Sequence, residues 1–509
     1  MNRLQTSMWS IGTPIKPVYK VGSSHPRYLH TALQLPSFSA TERHRRRVAC
    51  AMMVAELAAA GSGSPLAAGA GAGDMTVHSY RLSTVVPGSV TGEAVDYELA
   101  DADLLHKLHY LRAVHVFRAP APGDAAALAV RELKEPMFPW LDMYFPVSGR
   151  LRRRDGEAAP GRPYVRCNDC GVRIVEAAVD ATVEEWLEQE AERGGLCKPL
   201  AYDKVIGPEL FFSPLLYVQI TSFKCGGMAL GFTWAHLIGD IPSAAACFST
   251  WAQLLSGKKA PAPTLRDPHT KPLSAAPAGV TAPPSVKATA APVGDDWRVP
   301  TACEMVPFSF HVTEQQLKRL LLGSHHHQVS TFELVAALVW RAVAAIRGPE
   351  EEEETRTVTV VKTTDPAAAP SGGRRLGLTN EHRIGHVVAP AGLPPAAADV
   401  AELAALLAGA SLDGAGAVAA LAGADDADAV VYGANLTLVD AEGLDVYGGL
   451  ELGARRPAHV EYAVDGAGDG GAVVVHRDAG GRGRTVAAAV RRGEAGRLRA
   501  ALRDALRVA

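Results

Sequence analysis

The feature that most constrains this chain is a pair of apolar runs, residues 215–220 and 228–232, joined by Lys224-Cys225-Gly226-Gly227. The second run continues into Thr233-Trp234-Ala235-His236-Leu237-Ile238-Gly239-Asp240. Strand formers on either side of a Gly-Gly step predict a buried hairpin. Beyond Asp240, the apolar residues Ala244, Phe248, Trp251, Ala252 and Leu255 fall at helical spacing, and Gly257 supplies a stop. His236 therefore belongs to a strand-to-helix turn, where a side chain projects into a cavity. Spacing alone is weak support for chemistry, since a chain with 17 histidines meets about one His-x-x-x-Asp by chance. The competing reading is a buried histidine that caps the following helix.

A length of 509 residues, 48% of them hydrophobic, suffices for two globular domains with a core each. The net charge of -3, from 51 basic and 54 acidic residues, gives no bulk attraction for nucleic acid or acidic lipid. A small molecule or a protein is the expected partner. Seven scattered cysteines argue for a reducing compartment. Cys167-Asn168-Asp169-Cys170 has redox or zinc spacing, but no second pair follows, so the pair reads as structural and no metal is expected. No run reaches the roughly 18 apolar residues of a membrane span. Elbow, P-loop and dinucleotide fingerprints are missing in strand-turn-helix context, which removes support for serine-hydrolase, NTPase and nicotinamide chemistry.

Residues 1–41 carry Arg3, Lys16, Lys20 and Arg27 without an acidic residue, and 58–73 are rich in alanine and glycine. Residues 1–75 read as a disordered or transit-like leader, with Met75 as an alternative start. Proline-rich residues 257–300 read as a crossover linker between an N-terminal domain, 76–256, holding His236 and Asp240, and a C-terminal domain, 301–509. Glu350 to Glu354 read as a solvated acidic loop and His325 to His327 as a polar tract.

Four segments taken together resemble the plant BAHD family of acyl-CoA-dependent acyltransferases. They are the His236/Asp240 turn, Tyr144-Phe145-Pro146-Val147-Ser148-Gly149-Arg150-Leu151, the stretch 165–177 with Gly171 and Glu176-Ala177, and Ser330-Thr331-Phe332-Glu333-Leu334-Val335-Ala336-Ala337-Leu338-Val339-Trp340-Arg341. The resemblance covers most of 76–509. It implies a two-domain α/β fold, similar to chloramphenicol acetyltransferase, in which each half is a mixed sheet with flanking helices and a channel runs between them. It further implies that His236 acts as general base on an acceptor hydroxyl or amine that attacks an acyl-CoA thioester. Asp240 would support the turn by pointing away toward a basic partner. Thr233, Trp234, Thr437, Asp445 and Gly449 are the cavity or channel candidates, with one of Thr233 and Trp234 facing the cavity and the other the core. Arg150, Arg152, Arg153 and Arg154 could meet CoA phosphates or mark a solvated hairpin end.

The second family signature, Asp-Phe-Gly-Trp-Gly, is here Asp445-Val446-Tyr447-Gly448-Gly449, and the preceding stretch is Tyr432-Gly433-Ala434-Asn435-Leu436-Thr437 without the family's tryptophan. These departures, with Leu141-Asp142-Met143-Tyr144 and the stretch 77–87, resemble the Eceriferum/Glossy subgroup of plant wax proteins. That subgroup implies a monomer at the cytosolic face of the endoplasmic reticulum, or in the cytoplasm, that promotes elongation of very-long-chain acyl-CoAs for cuticular wax beside a β-ketoacyl-CoA synthase. Organelle targeting by 1–41 is the alternative location. No cofactor is bound in this reading, and acyl-CoA is the substrate or ligand. The alternative function is an active transferase that moves a long acyl group from CoA.

Overall fold

The computed structural model describes residues 75–508, except 93–94, 122–127, 156–160, 196, 266–282, 324–328, 364–376 and 413–427. The leader, the His325 to His327 tract and much of the expected crossover lie outside the described residues. The long strands run, in chain order, β1 (Val77–Val85), β2 (Tyr110–Phe117), β3 (Val172–Val179), β4 (Leu216–Phe223), β5 (Met228–Ala235), β6 (Met305–Val312), β7 (Thr357–Lys362), β8 (Arg383–Val388), β9 (Leu436–Asp440), β10 (His459–Asp465), β11 (Ala472–Arg477) and β12 (Arg484–Arg491).

They form two six-stranded mixed sheets, ordered β1-β3-β4-β5-β2-β10 and β6-β12-β11-β9-β7-β8. In the first, β3 and β4 are parallel and the remaining neighbours antiparallel. In the second, β7, β9 and β11 run parallel. The predicted hairpin is β4 and β5, in register from Leu216 opposite Trp234 to Ser222 opposite Met228. Every residue of β5 is buried, because both faces of this inner strand are covered and the alternation of a one-sided strand is lost. Gly231 in its middle is needed sterically, since a Cβ there would stand 1.9 Å from the carbonyl oxygen of Leu200.

Sheet membership departs from chain order at one strand. β10 belongs to the C-terminal half yet completes the first sheet, pairing residue by residue with β2 from His459 opposite Val116 to Asp465 opposite Tyr110. The expected arrangement of one sheet per half therefore misses this strand. β10 also lies against β11 and β12, so it occupies the seam between the sheets. At its end, Asp465 accepts from Arg112 Nε at 2.8 Å, while Arg112 also donates to the Ala201 carbonyl at 3.1 Å.

Two helices set the rest. α1 (Ile241–Leu255) packs Phe248 and Trp251 onto Phe232 of β5, with the Phe232 and Phe248 rings stacked at 3.9 Å. α2 (Thr331–Arg347) starts at Ser330, whose amide donates to the Glu333 carboxylate at 2.9 Å, and is buried along most of its length against the second sheet. The larger core cluster draws on both halves of the chain, from Trp234 and Phe248 to Tyr432 and Val474.

Candidate active site

β5 ends at Ala235, and residues 236–238 make a single 3₁₀ turn before Gly239 and Asp240. The Asp240 side chain accepts from the Ser243 amide at 3.1 Å and so caps α1. Its other oxygen accepts from the Glu381 amide at 2.9 Å and stands 3.6 Å from His382 Nδ1. Burial pushes the Asp240 carboxyl up, and His382 with the two amides outweighs it, holding the group below its ordinary range. The basic partner expected from the family resemblance is thus a histidine, on the segment that leads into β8. That segment is laced to the turn: Asp240 N–H donates to the Thr379 carbonyl at 3.0 Å, and Asn380 Nδ2 donates to the His236 carbonyl at 3.1 Å.

His236 is 0% exposed. Its Nε2 lies 3.0 Å from the Tyr432 hydroxyl, and its Nδ1 has no hydrogen-bond partner. Three further histidines surround it. The His106 ring stacks on it at 4.6 Å, His382 stands 5.7 Å away edge-on, and His109 accepts at Nε2 from the amides of Val431 at 3.1 Å and Tyr432 at 3.4 Å. His109 Nδ1 meets the Gly466 carbonyl at 2.9 Å, so its proton sits on Nδ1 and the ring ties the Tyr432 loop to the end of β10.

Burial, followed by the neighbouring His382 and His109, brings His236 down to about 3, and burial brings His109 down to about 4. His106 is lowered well below its ordinary value, first by burial and then by the three other rings. The imidazole is neutral at pH 7, as a general base requires. The same burial that keeps it neutral lowers its proton affinity and so weakens it as a base, since general-base help is greatest when the catalytic pKa lies near the operating pH.

The other candidates divide as follows. Trp234 faces the core, where its Nε1 donates to Gly239 at 2.8 Å and its ring meets Phe248 edge-on. Thr233, on the opposite face, donates to the Tyr202 carbonyl at 2.7 Å beside Arg112. Thr437 is buried and binds the loop before it, accepting from the Gly433 amide at 3.0 Å. Asp445 is exposed and turns back on its own loop, where it accepts from the Gly448 amide at 2.8 Å. Gly449 N–H donates to the Asp445 carbonyl at 2.9 Å, and Tyr447 fills the loop's interior, accepting from the Val460 amide at 3.1 Å. The described contacts of Asp445 and Gly449 do not include the histidine cluster. Arg150 is fully buried on the carbonyls of Gly149 and Gly171, while Arg153 and Arg154 pair with Asp295 and with Asp96 and Glu98. None of those three guanidiniums is a free phosphate site.

The sequence reading missed His106, His109 and His382. The first two form a His-x-x-His step just before β2, the one local signal; His382 carries none.

A family model described as Transferase family matches residues 75–365. The chain belongs to the BAHD transferase family. Among the family's plant members, it is 36% identical to Protein ECERIFERUM 26 of Arabidopsis thaliana over 82% of this chain and 93% of that protein. Protein ECERIFERUM 2 of Arabidopsis thaliana is 35% identical over 78% and 91%. A hydroxycinnamoyltransferase of Narcissus pseudonarcissus is 29% identical over 49% and 57%. The BAHD fold is shared with the crystal structure of vinorine synthase, at a TM-score of 0.59 and 17% identity over 83% of this chain and 96% of that one. It is shared equally with F. graminearum TRI101 complexed with ethyl coenzyme A, at 0.59 and 14% over 80% and 97%. Among the described residues no helix is long and apolar enough to cross a membrane.

Proposed function

We propose that this BAHD protein works in cuticular wax biosynthesis by promoting elongation of very-long-chain acyl-CoAs beside an elongase condensing enzyme, at the cytosolic face of the endoplasmic reticulum. The likeness to the ECERIFERUM proteins along most of both chains supports the wax role. The observation that carries the elongation reading is the closed state of His236: no exposure, Nε2 covered by Tyr432, and a proton affinity lowered by burial. In this reading His236 and Asp240 are architecture, the first filling a four-histidine core and the second capping α1 and holding the segment around Glu381.

The intact His236/Asp240 turn favours the second reading, an acyl-CoA-dependent transferase acting on a hydroxyl or amine. That chemistry needs the Tyr432 hydroxyl to leave Nε2 and water or acceptor to enter.

Co-expression in yeast with a plant β-ketoacyl-CoA synthase separates the two, with acyl chain length as the readout. Longer chains from both the intact protein and His236→Ala are expected. Lengthening lost in His236→Ala at equal protein abundance would restore the base, and lengthening by neither would remove the elongation role.

A further inference from the structure

Away from the histidine cluster, Cys197, His459 and Glu461 bring one ligand atom each to within 4.8 Å of one another. His459 and Glu461 stand two apart on β10, hence on one face of the strand, and Cys197 follows the Gly194-Gly195 turn of the N-terminal half. Glu461 is 6% exposed; its carboxyl hydrogen-bonds with Ser309 and with Cys197 itself, while its Oε2 has no partner and the buried Nε2 of His459 has none either. Among the described residues no lysine or arginine pairs with Glu461. A carboxylate buried in that way is costly unless a cation or a proton accompanies it.

We infer that Cys197, His459 and Glu461 form a binding site for a divalent transition ion of the zinc type. Thiolate, imidazole and carboxylate are the donors zinc takes, and three protein ligands leave a fourth position for water. Two anionic ligands and one neutral one also cancel the charge of a divalent ion, so the occupied site places no net charge in the seam between the sheets. A tetrahedral ion holds its donors roughly 3.3–3.8 Å apart, and these three atoms already lie within 4.8 Å of one another. Access exists from two sides: Cys197 and Glu461 line a cavity of about 290 Å³, and His459 lines another of about 500 Å³. The ion would staple the segment after Gly195 to the strand that the C-terminal half lends to the first sheet.

The test uses the full chain, stripped with chelator and titrated with cobalt(II). One cobalt per chain is expected, with a thiolate-to-cobalt charge-transfer band, and zinc is expected to displace it and raise Tm by several degrees. Cys197→Ser should abolish the band. Should that variant fail to fold, His459→Gln, at the partly exposed end of the set, decides instead by losing the stoichiometric cobalt. A band that survives Cys197→Ser, cobalt binding unchanged in His459→Gln, or no cobalt bound with a thiolate signature would each overturn the site.

Discussion

At His236 the deciding quantity is the proton, and the same holds for the buried histidines as a class. His109, His115, His236 and His476 are brought down to between about 3 and 4, each chiefly by burial, and His106 lower than its ordinary value for the same reason. In the unfolded chain each binds a proton near pH 6.5, so below that pH the unfolded state holds more protons than the folded one. The native state is therefore at full strength above about pH 6.5 and loses stability as pH falls toward 4, by up to roughly 1.4 kcal/mol per pH unit for each histidine. His459, also brought down to about 4 by burial, adds to them, while Glu461, raised to about 8 by burial and by Glu190, and Asp440, raised to about 6 chiefly by burial, work in the opposite direction, leaving six groups against two. Urea midpoints measured from pH 7.5 to 4.5 should fall steeply below 6.5. A flat profile would mean that these rings are not buried neutral.

At the scale of elements, the turn between β5 and α1 depends on one carboxylate. Asp240→Ala removes the acceptor for two buried amides, Ser243 and Glu381, and should cost about 2–4 kcal/mol by urea unfolding. Asp240→Asn keeps one acceptor oxygen and should fall between; an alanine variant within about 0.5 kcal/mol of the parent would exclude the capping role. This part of the molecule was legible in sequence because its signals are local. The apolar run at 228–232 became Met228–Ala235, the helical spacing after Asp240 became Ile241–Leu255, and Gly257 does take a positive φ of 69°. The histidine cluster was not legible, since His106, His236 and His382 converge from three separate segments with no spacing to link them. The basic partner expected opposite Asp240 was a family inference that named no residue, and His382 shows why: a neighbour across the seam is chosen by packing, which a single sequence does not display.

For the whole molecule, β10 decides how separable the halves are. Long-range pairing leaves no local mark, so the sequence suggested a clean division at 257–300 while the sheet takes its sixth strand from residues 459–465. Without that strand, β2 becomes an exposed edge, Arg112 loses Asp465 and keeps only Asp203 as a charged partner, and His109 loses the Gly466 carbonyl. Residues 75–300 expressed alone should therefore be insoluble or lack a cooperative thermal transition. Co-expression with residues 301–509 should recover a soluble complex that co-purifies and unfolds in one step, because the second fragment brings β10 and the Leu378 to His382 segment that clamps the His236 turn. Should 75–300 fold cooperatively by itself, the seam strand would be an accessory to the first sheet, and the N-terminal half could be treated as an independent domain.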